Sequence, residues 1–85
     1  MDLLEIERRL KALVLRFTGN IEQKRIAMIL EDIGYGEPGI ALENYCTNLY
    51  DNEVNVPDDI IKELRTLGTA MRLDPDYWES LRRPS

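Results

Sequence analysis

Four runs of apolar residues at helical spacing, cut apart by glycine and proline, constrain this chain more than any other feature. Leu3, Ile6, Leu10, Leu13, Val14 and Phe17 form the first run. Ile26, Ile29, Leu30 and Ile33 form the second, and Ala41, Leu42, Tyr45, Cys46 and Leu49 the third. Ile60, Ile61, Leu64, Leu67 and Met71 form the fourth. Steps of three and four residues put each set on one face of a 3.6-residue helix. Gly19, the stretch Gly34 to Gly39, Pro57 and Pro75 fall between or after the runs, where such residues end or begin helices. No segment reads as a strand. The pattern predicts an all-α fold, a compact bundle of four helices plus a short C-terminal helix. With 85 residues, it is a single domain over residues 1–85.

The helix ends are also written in the sequence. Asp2 caps a first helix from about Leu3 to Phe17, and Gly19 ends it. Glu5 with Arg9 and Glu7 with Lys11 are spaced to pair on its outer face. Asn20 is placed to cap the second helix, with Gln23 closing a capping box. Gly34 suits the left-handed residue that closes that helix, and Pro38 suits the first position of the next, which runs to about Asp51. The tight turn between makes helices two and three neighbours. Met28 reads as core filler. Residues 52–57, NEVNVP, read as an extended connection. Pro57 opens the fourth helix, with Asp58 and Asp59 in its favourable first turn. Gly68 marks a close approach by another helix. Asp74-Pro75 opens the last helix, about Pro75 to Arg82, in which Trp78 packs over the bundle end beside Tyr77 and Leu81. Arg82, Arg83, Pro84 and Ser85 read as a frayed tail.

Several kinds of chemistry are disfavoured. There is no histidine, the commonest general base and metal ligand. The one cysteine, Cys46, allows no internal disulfide, and its apolar helix face makes it a small buried hydrophobe. A reducing, cytosolic compartment fits that usage. Asp51, Glu53 and Asn55 mimic the start of a calcium loop, but Val56 stands where glycine makes the turn and Lys62 where a glutamate ligand belongs. The glycines around Glu37 lack a following lysine, and the carboxylate repels phosphate. Ser80 and Ser85 have no base to activate them. No apolar stretch spans a membrane, and charges interrupt the first apolar run too early for a signal peptide. The expectation is a non-enzyme without catalytic residues, metal or cofactor.

Charge is unevenly spread. The net charge is −5, yet no lysine or arginine occurs between Arg25 and Lys62, while eight acidic residues do: Glu31, Asp32, Glu37, Glu43, Asp51, Glu53, Asp58 and Asp59. Such a block repels nucleic acid and attracts a basic surface. Glu31 and Asp32 oppose the helix dipole near a C-terminus, so helix stability does not account for them. The third helix has an apolar side and an outer side bearing Glu43, Asn44, Thr47, Asn48 and Asp51, expected to face a basic protein partner.

The stretch GEPGIALENYCTNLYD, the acidic, valine-rich connection after it and the later segment LGTAMRLDPDYWESL resemble the MafI-family immunity proteins. The Gly36-Glu37 turn, Gly39, Ala41-Leu42-Glu43 and Leu49-Tyr50 carry the likeness in order, with Tyr77-Trp78 near the end. It spans most of the chain and is thinnest over the first helix. The resemblance implies a cytoplasmic protein encoded beside a secreted polymorphic toxin, which binds and neutralises the toxin's C-terminal domain, often a nuclease. A nuclease cleft is basic, and fixed carboxylates imitate its polyanionic substrate. The residues expected to bind the partner are Glu37, Glu43, Thr47, Asn48, Tyr50, Asp51 and Glu53, with Tyr50 or Tyr35 as aromatic anchor. Tyr45 and Leu49 are assigned to the core. Glu37 has a second reading, as a cap for the helix it precedes, and Tyr50 a second reading at the core edge. The alternative function is a small helical interaction module, forming a homodimer through the Trp78 end or the Gly68 face.

Overall fold

The computed structural model describes residues 1–82. Its helices are α1 (Leu3–Arg16), α2 (Gln23–Gly34), α3 (Pro38–Asp51), α4 (Asp58–Ala70) and α5 (Asp76–Glu79), and no strand occurs among the described residues. The all-α bundle is therefore as the apolar stripes require. Arg83, Pro84 and Ser85, assigned to a frayed tail, lie outside the described residues.

α3 packs against each of the other four helices. Its apolar side is fully used: Ala41, Leu42, Tyr45, Cys46 and Leu49 are all buried. Contacts along the chain fix the directions. Gly36, in the α2–α3 turn, lies beside Glu7 near the start of α1. Tyr45 Oη donates a 2.5 Å hydrogen bond to the carbonyl of Phe17 at the end of α1. Gly19 packs beneath Leu49 and Val54, and its φ of +59° is a conformation that favours glycine. So α1 and α3 run parallel, with α2 returning between them. Arg9 forks onto Glu63 and Arg16 reaches Asp59, which sets α4 antiparallel to α1. α5 then packs on α3 and α4, and Trp78, 2% exposed, lies against Gly68.

Residues 54–57 form no regular element, and Val54 and Val56 are buried while Asn55 is exposed. An extended chain alternates its side chains, so this connection seals the end of the bundle.

Three helices end in the same way. After α2, Gly36 N–H donates to Ile33 and Glu37 N–H to Asp32; after α3, Glu53 N–H donates to Tyr50 and Val54 N–H to Leu49; after α4, Arg72 N–H donates to Thr69 and Leu73 N–H to Gly68. These are Schellman closures with a left-handed residue at Gly36 (φ 77°), Glu53 (φ 53°) and Arg72 (φ 58°).

Several local expectations are corrected. The left-handed residue after α2 is Gly36, because the helix continues through Gly34. Asn20 does not cap α2. Ile21 is buried after a Thr18–Ile21 turn, which delays the helix to Gln23, and Glu22 at the cap position makes no side-chain cap bond. Pro57 and Pro75 precede their helices rather than opening them. Asp2 does cap α1, accepting from Glu5 N–H at 2.8 Å, whereas Asp74 lies one residue before the cap position of α5, Pro75, and accepts from Asp76 N–H at 2.9 Å. Of the two spaced pairs on α1, Glu5–Arg9 forms at 3.9 Å, and Glu7–Lys11 does not. Met28 is no core filler: it is 60% exposed, while Ile26, Ile29 and Ile33 are buried and Leu30 packs half-buried against the core. Leu3, placed on the buried stripe, is 55% exposed because the core begins one turn later at Ile6.

Candidate functional site

The side of α3 turned away from the core forms a ridge. Ile40, Asn44, Thr47, Tyr50 and Asp51 are exposed on it, and Glu43 and Asn48 are half-buried at its edges. Glu53 follows, exposed, at the left-handed position that closes the helix. Five of the seven expected binding residues, Glu43, Thr47, Asn48, Tyr50 and Asp51, therefore share one helix surface, with Glu53 just beyond its end.

A groove runs along each flank of this ridge. One, between α3 and α5, has a volume of about 230 Å³ and is lined by Cys46, Thr47, Tyr50, Asp74, Asp76, Tyr77 and Ser80. The other, of about 220 Å³ between α2 and α3, is lined by Arg25, Met28, Ile29, Asn44, Thr47, Asn48 and Asp51. Thr47 borders both.

The two flanks differ in charge and order. On the α2 side, Asn48 Nδ2 donates to the carbonyl of Asn44 and Asn52 Nδ2 to that of Asn48, each at 2.7 Å. These amides are thus tied to their own helix. Arg25 places a cation in the same groove as Asp51. On the α5 side no lysine or arginine among the described residues lines the groove, and two carboxylates do.

The acidic block read from the sequence does not gather on a single flank. Glu31, Asp32 and Glu37 sit at the end of the bundle where α2 turns into α3, and Asn44 Nδ2 reaches Asp32 at 3.5 Å. Asp51 and Glu53 sit at the opposite end of α3, about 20 Å away along a helix of this length. Asp58 and Asp59 start α4, which makes no contact with α2. Glu37 is exposed at the N-cap position of α3 but makes no side-chain cap bond, so its alternative reading as a cap fails. Its backbone carbonyl, not its carboxylate, receives Ala41 N–H at 3.0 Å. Tyr35, exposed 76%, shares that far end, and Tyr50 is half exposed on the groove beside α5.

Most of the carboxylates are nonetheless unspent. Of the eight acidic residues between Arg25 and Lys62, Asp59 alone is in an ion pair among the described residues, at 3.7 Å to Arg16. The bundle's better-defined charge contact lies elsewhere. Arg9 donates to both oxygens of Glu63 at 2.9 and 2.5 Å, and that hydrogen bond holds the Arg9 pKa above its ordinary value.

Asp74, Asp76 and Tyr77 were not expected at the site. In sequence they read as the start and apolar face of a last helix. They reach α3 because Trp78 anchors α5 to the core, a tertiary contact that local spacing does not encode. Cys46 borders the same groove, but it is 1% exposed, and burial pushes its thiol up to about 12. It has no nucleophilic character near neutrality. Among the described residues no group of three or more cysteines and acidic residues is arranged to hold a metal ion. No helix there is long and apolar enough to cross a membrane.

The chain matches no protein-family model, no curated protein and no solved structure.

Proposed function

We propose that this is a binding protein, not an enzyme, which captures a basic protein on the α3 ridge. The observation that carries the reading is the set of carboxylates on and just beyond α3: Glu43, Asp51 and Glu53 form no ion pair among the described residues. Charges left facing solvent along a rigid helix raise the encounter rate with a cationic surface and select its orientation. Because the acidic block divides between the two ends of α3, the contact is with the ridge and not with a whole acidic flank.

The likeness to MafI-family immunity proteins, read from Gly36–Tyr50 and Tyr77-Trp78, supplies the partner class. The partner is the C-terminal toxic domain of a secreted polymorphic toxin, basic and of nuclease type, met in the cytoplasm. Tyr50, half exposed between the charged residues, is the aromatic anchor. The test is a binding titration against the C-terminal domain of the secreted protein encoded next to this chain. Reversing Glu43, Asp51 and Glu53 together to lysine is expected to weaken binding about 100-fold, since each loses an attraction and gains a repulsion. An unchanged dissociation constant would refute the mapping.

The alternative, a dimer joined through the Trp78 end or the Gly68 face, finds both surfaces occupied by each other within one chain. Light scattering that shows a monomer at all concentrations removes self-association altogether.

A further inference from the structure

The α3–α5 groove differs from its neighbour in ways that name an occupant. Its volume, about 230 Å³, lies below the roughly 300–1,000 Å³ of pockets that hold drug-sized ligands. It suits one long side chain. Two tyrosines, Tyr50 and Tyr77, line it, and a cation within about 6 Å of such a ring centre is attracted to the ring face. Thr47 and Ser80 add hydroxyl oxygens. Asp74 and Asp76 add two carboxylates, neither in an ion pair among the described residues. Asp74 accepts from Asp76 N–H through Oδ1, which fixes that carboxylate in place. Glu43 stands one helical turn before Thr47 on the same edge of α3. Among the described residues no basic side chain lines the groove, whereas Arg25 lines the groove on the other side of the ridge.

We infer that the α3–α5 groove is a socket for one arginine or lysine side chain of the basic partner, with the tyrosine rings receiving its aliphatic stem and Asp74 and Asp76 its charged head. The inference rests on the reading of α3 as the docking ridge and makes it more specific. The walls are apolar enough to take the methylene stem, and the acidic residues sit on one lip, so a snorkelling cation satisfies both halves. A neutral side chain of the same shape leaves both carboxylates lining the groove without a counter-charge. An acidic one is repelled.

The experiment is a backbone-amide NMR titration of the whole chain with Nα-acetyl-arginine amide, with Nα-acetyl-citrulline amide as the neutral isostere. The expected result is saturable shifts at Thr47, Tyr50, Tyr77 and Ser80 with the arginine probe and none with citrulline. The variant Asp74→Asn with Asp76→Asn keeps a side-chain oxygen at residue 74 to accept from the residue 76 N–H and should weaken the arginine probe about fivefold, the effect of removing partly exposed charge contacts. An unchanged thermal transition in that variant separates lost binding from lost folding. Equal shifts with both probes overturn the socket. Saturable shifts confined to Glu43, Asp51 and Glu53, away from α5, also overturn it but leave the α3 ridge standing. No saturable shift into the millimolar range overturns it as well, and the ridge is then decided by its own titration with the partner domain.

Discussion

Gly68 on α4 lies directly beneath the indole of Trp78. A Cβ at residue 68 would clash with the ring, nearest to Cζ3, and even the third-nearest atom, Cε3, would be only 2.8 Å away. The glycine is what lets α5 seat on α4, and α5 in turn carries Asp74, Asp76 and Tyr77 to the flank of α3. Gly68→Ala should therefore cost about 1–3 kcal/mol by overpacking, although alanine is otherwise the better helix former. At Gly34, where an added Cβ meets nothing within 4 Å, the same change should gain about 0.5 kcal/mol or more. Chemical denaturation of both variants checks the pair. In a Trp78→Ala background the Gly68 penalty should vanish.

Glu53 holds a left-handed backbone at φ 53° to close α3, a position that glycine fills without strain. Glu53→Gly should raise stability by about 1 kcal/mol. It should at the same time weaken the proposed capture of a basic partner, because the ridge loses one of its carboxylates. Denaturation midpoint and dissociation constant, measured on the same variant, should move in opposite senses for function. Arg72→Gly, at φ 58° after α4, should show the stability gain without the binding loss.

Burial raises the Cys46 thiol from 9.0 to about 12 and pushes the Tyr45 hydroxyl up from its ordinary value as well. Both groups are held neutral in the fold and free to ionise in the unfolded chain. Their contribution is complete below about pH 9 and is lost as pH rises from there toward pH 12, by about 1.4 kcal/mol per pH unit for each group titrating. The melting temperature should be flat up to about pH 9, where an unperturbed thiol is about half ionised, and fall beyond it. Cys46→Ala should flatten the first part of that fall. A disulfide reagent at pH 8 should label Cys46 only at the rate of opening of the fold, and immediate labelling would contradict the buried assignment.

The Tyr45 hydroxyl ties the centre of α3 to the last carbonyl region of α1 through its bond to Phe17. Tyr45→Phe keeps the ring and removes the bond. A loss of about 1 kcal/mol is expected, with hydrogen exchange faster at the end of α1.

The four helices and their buried faces were legible because an apolar stripe reports directly on which side of a helix is inside. Tyr45, Leu49, Cys46 and Trp78 were all placed correctly on that basis. Legibility stopped where a residue acts against its propensity or across the fold. Glu53 and Arg72 occupy glycine-type positions that no composition rule marks. Met28 is apolar yet faces solvent beside Asn44 and Thr47, since its angle on α2 puts it on the wall of the groove and off the core stripe. The acidic block was visible as a run in sequence, but the antiparallel turn at Gly36 sends Glu31 and Glu37 to one end and Asp51 and Glu53 to the other. Asp74 and Asp76 join α3 only because Trp78 finds Gly68.

The direct measurement is a calorimetric titration of this chain with the C-terminal domain of the proposed toxin partner, at low and physiological salt, for the native chain and for Glu43→Lys, Asp51→Lys, Glu53→Lys combined. The account predicts tight binding by the native chain that weakens as salt rises. It predicts about 100-fold weaker binding by the triple variant at an unaltered melting temperature. Equal affinities for the two chains, or binding indifferent to salt, would contradict capture through the α3 carboxylates.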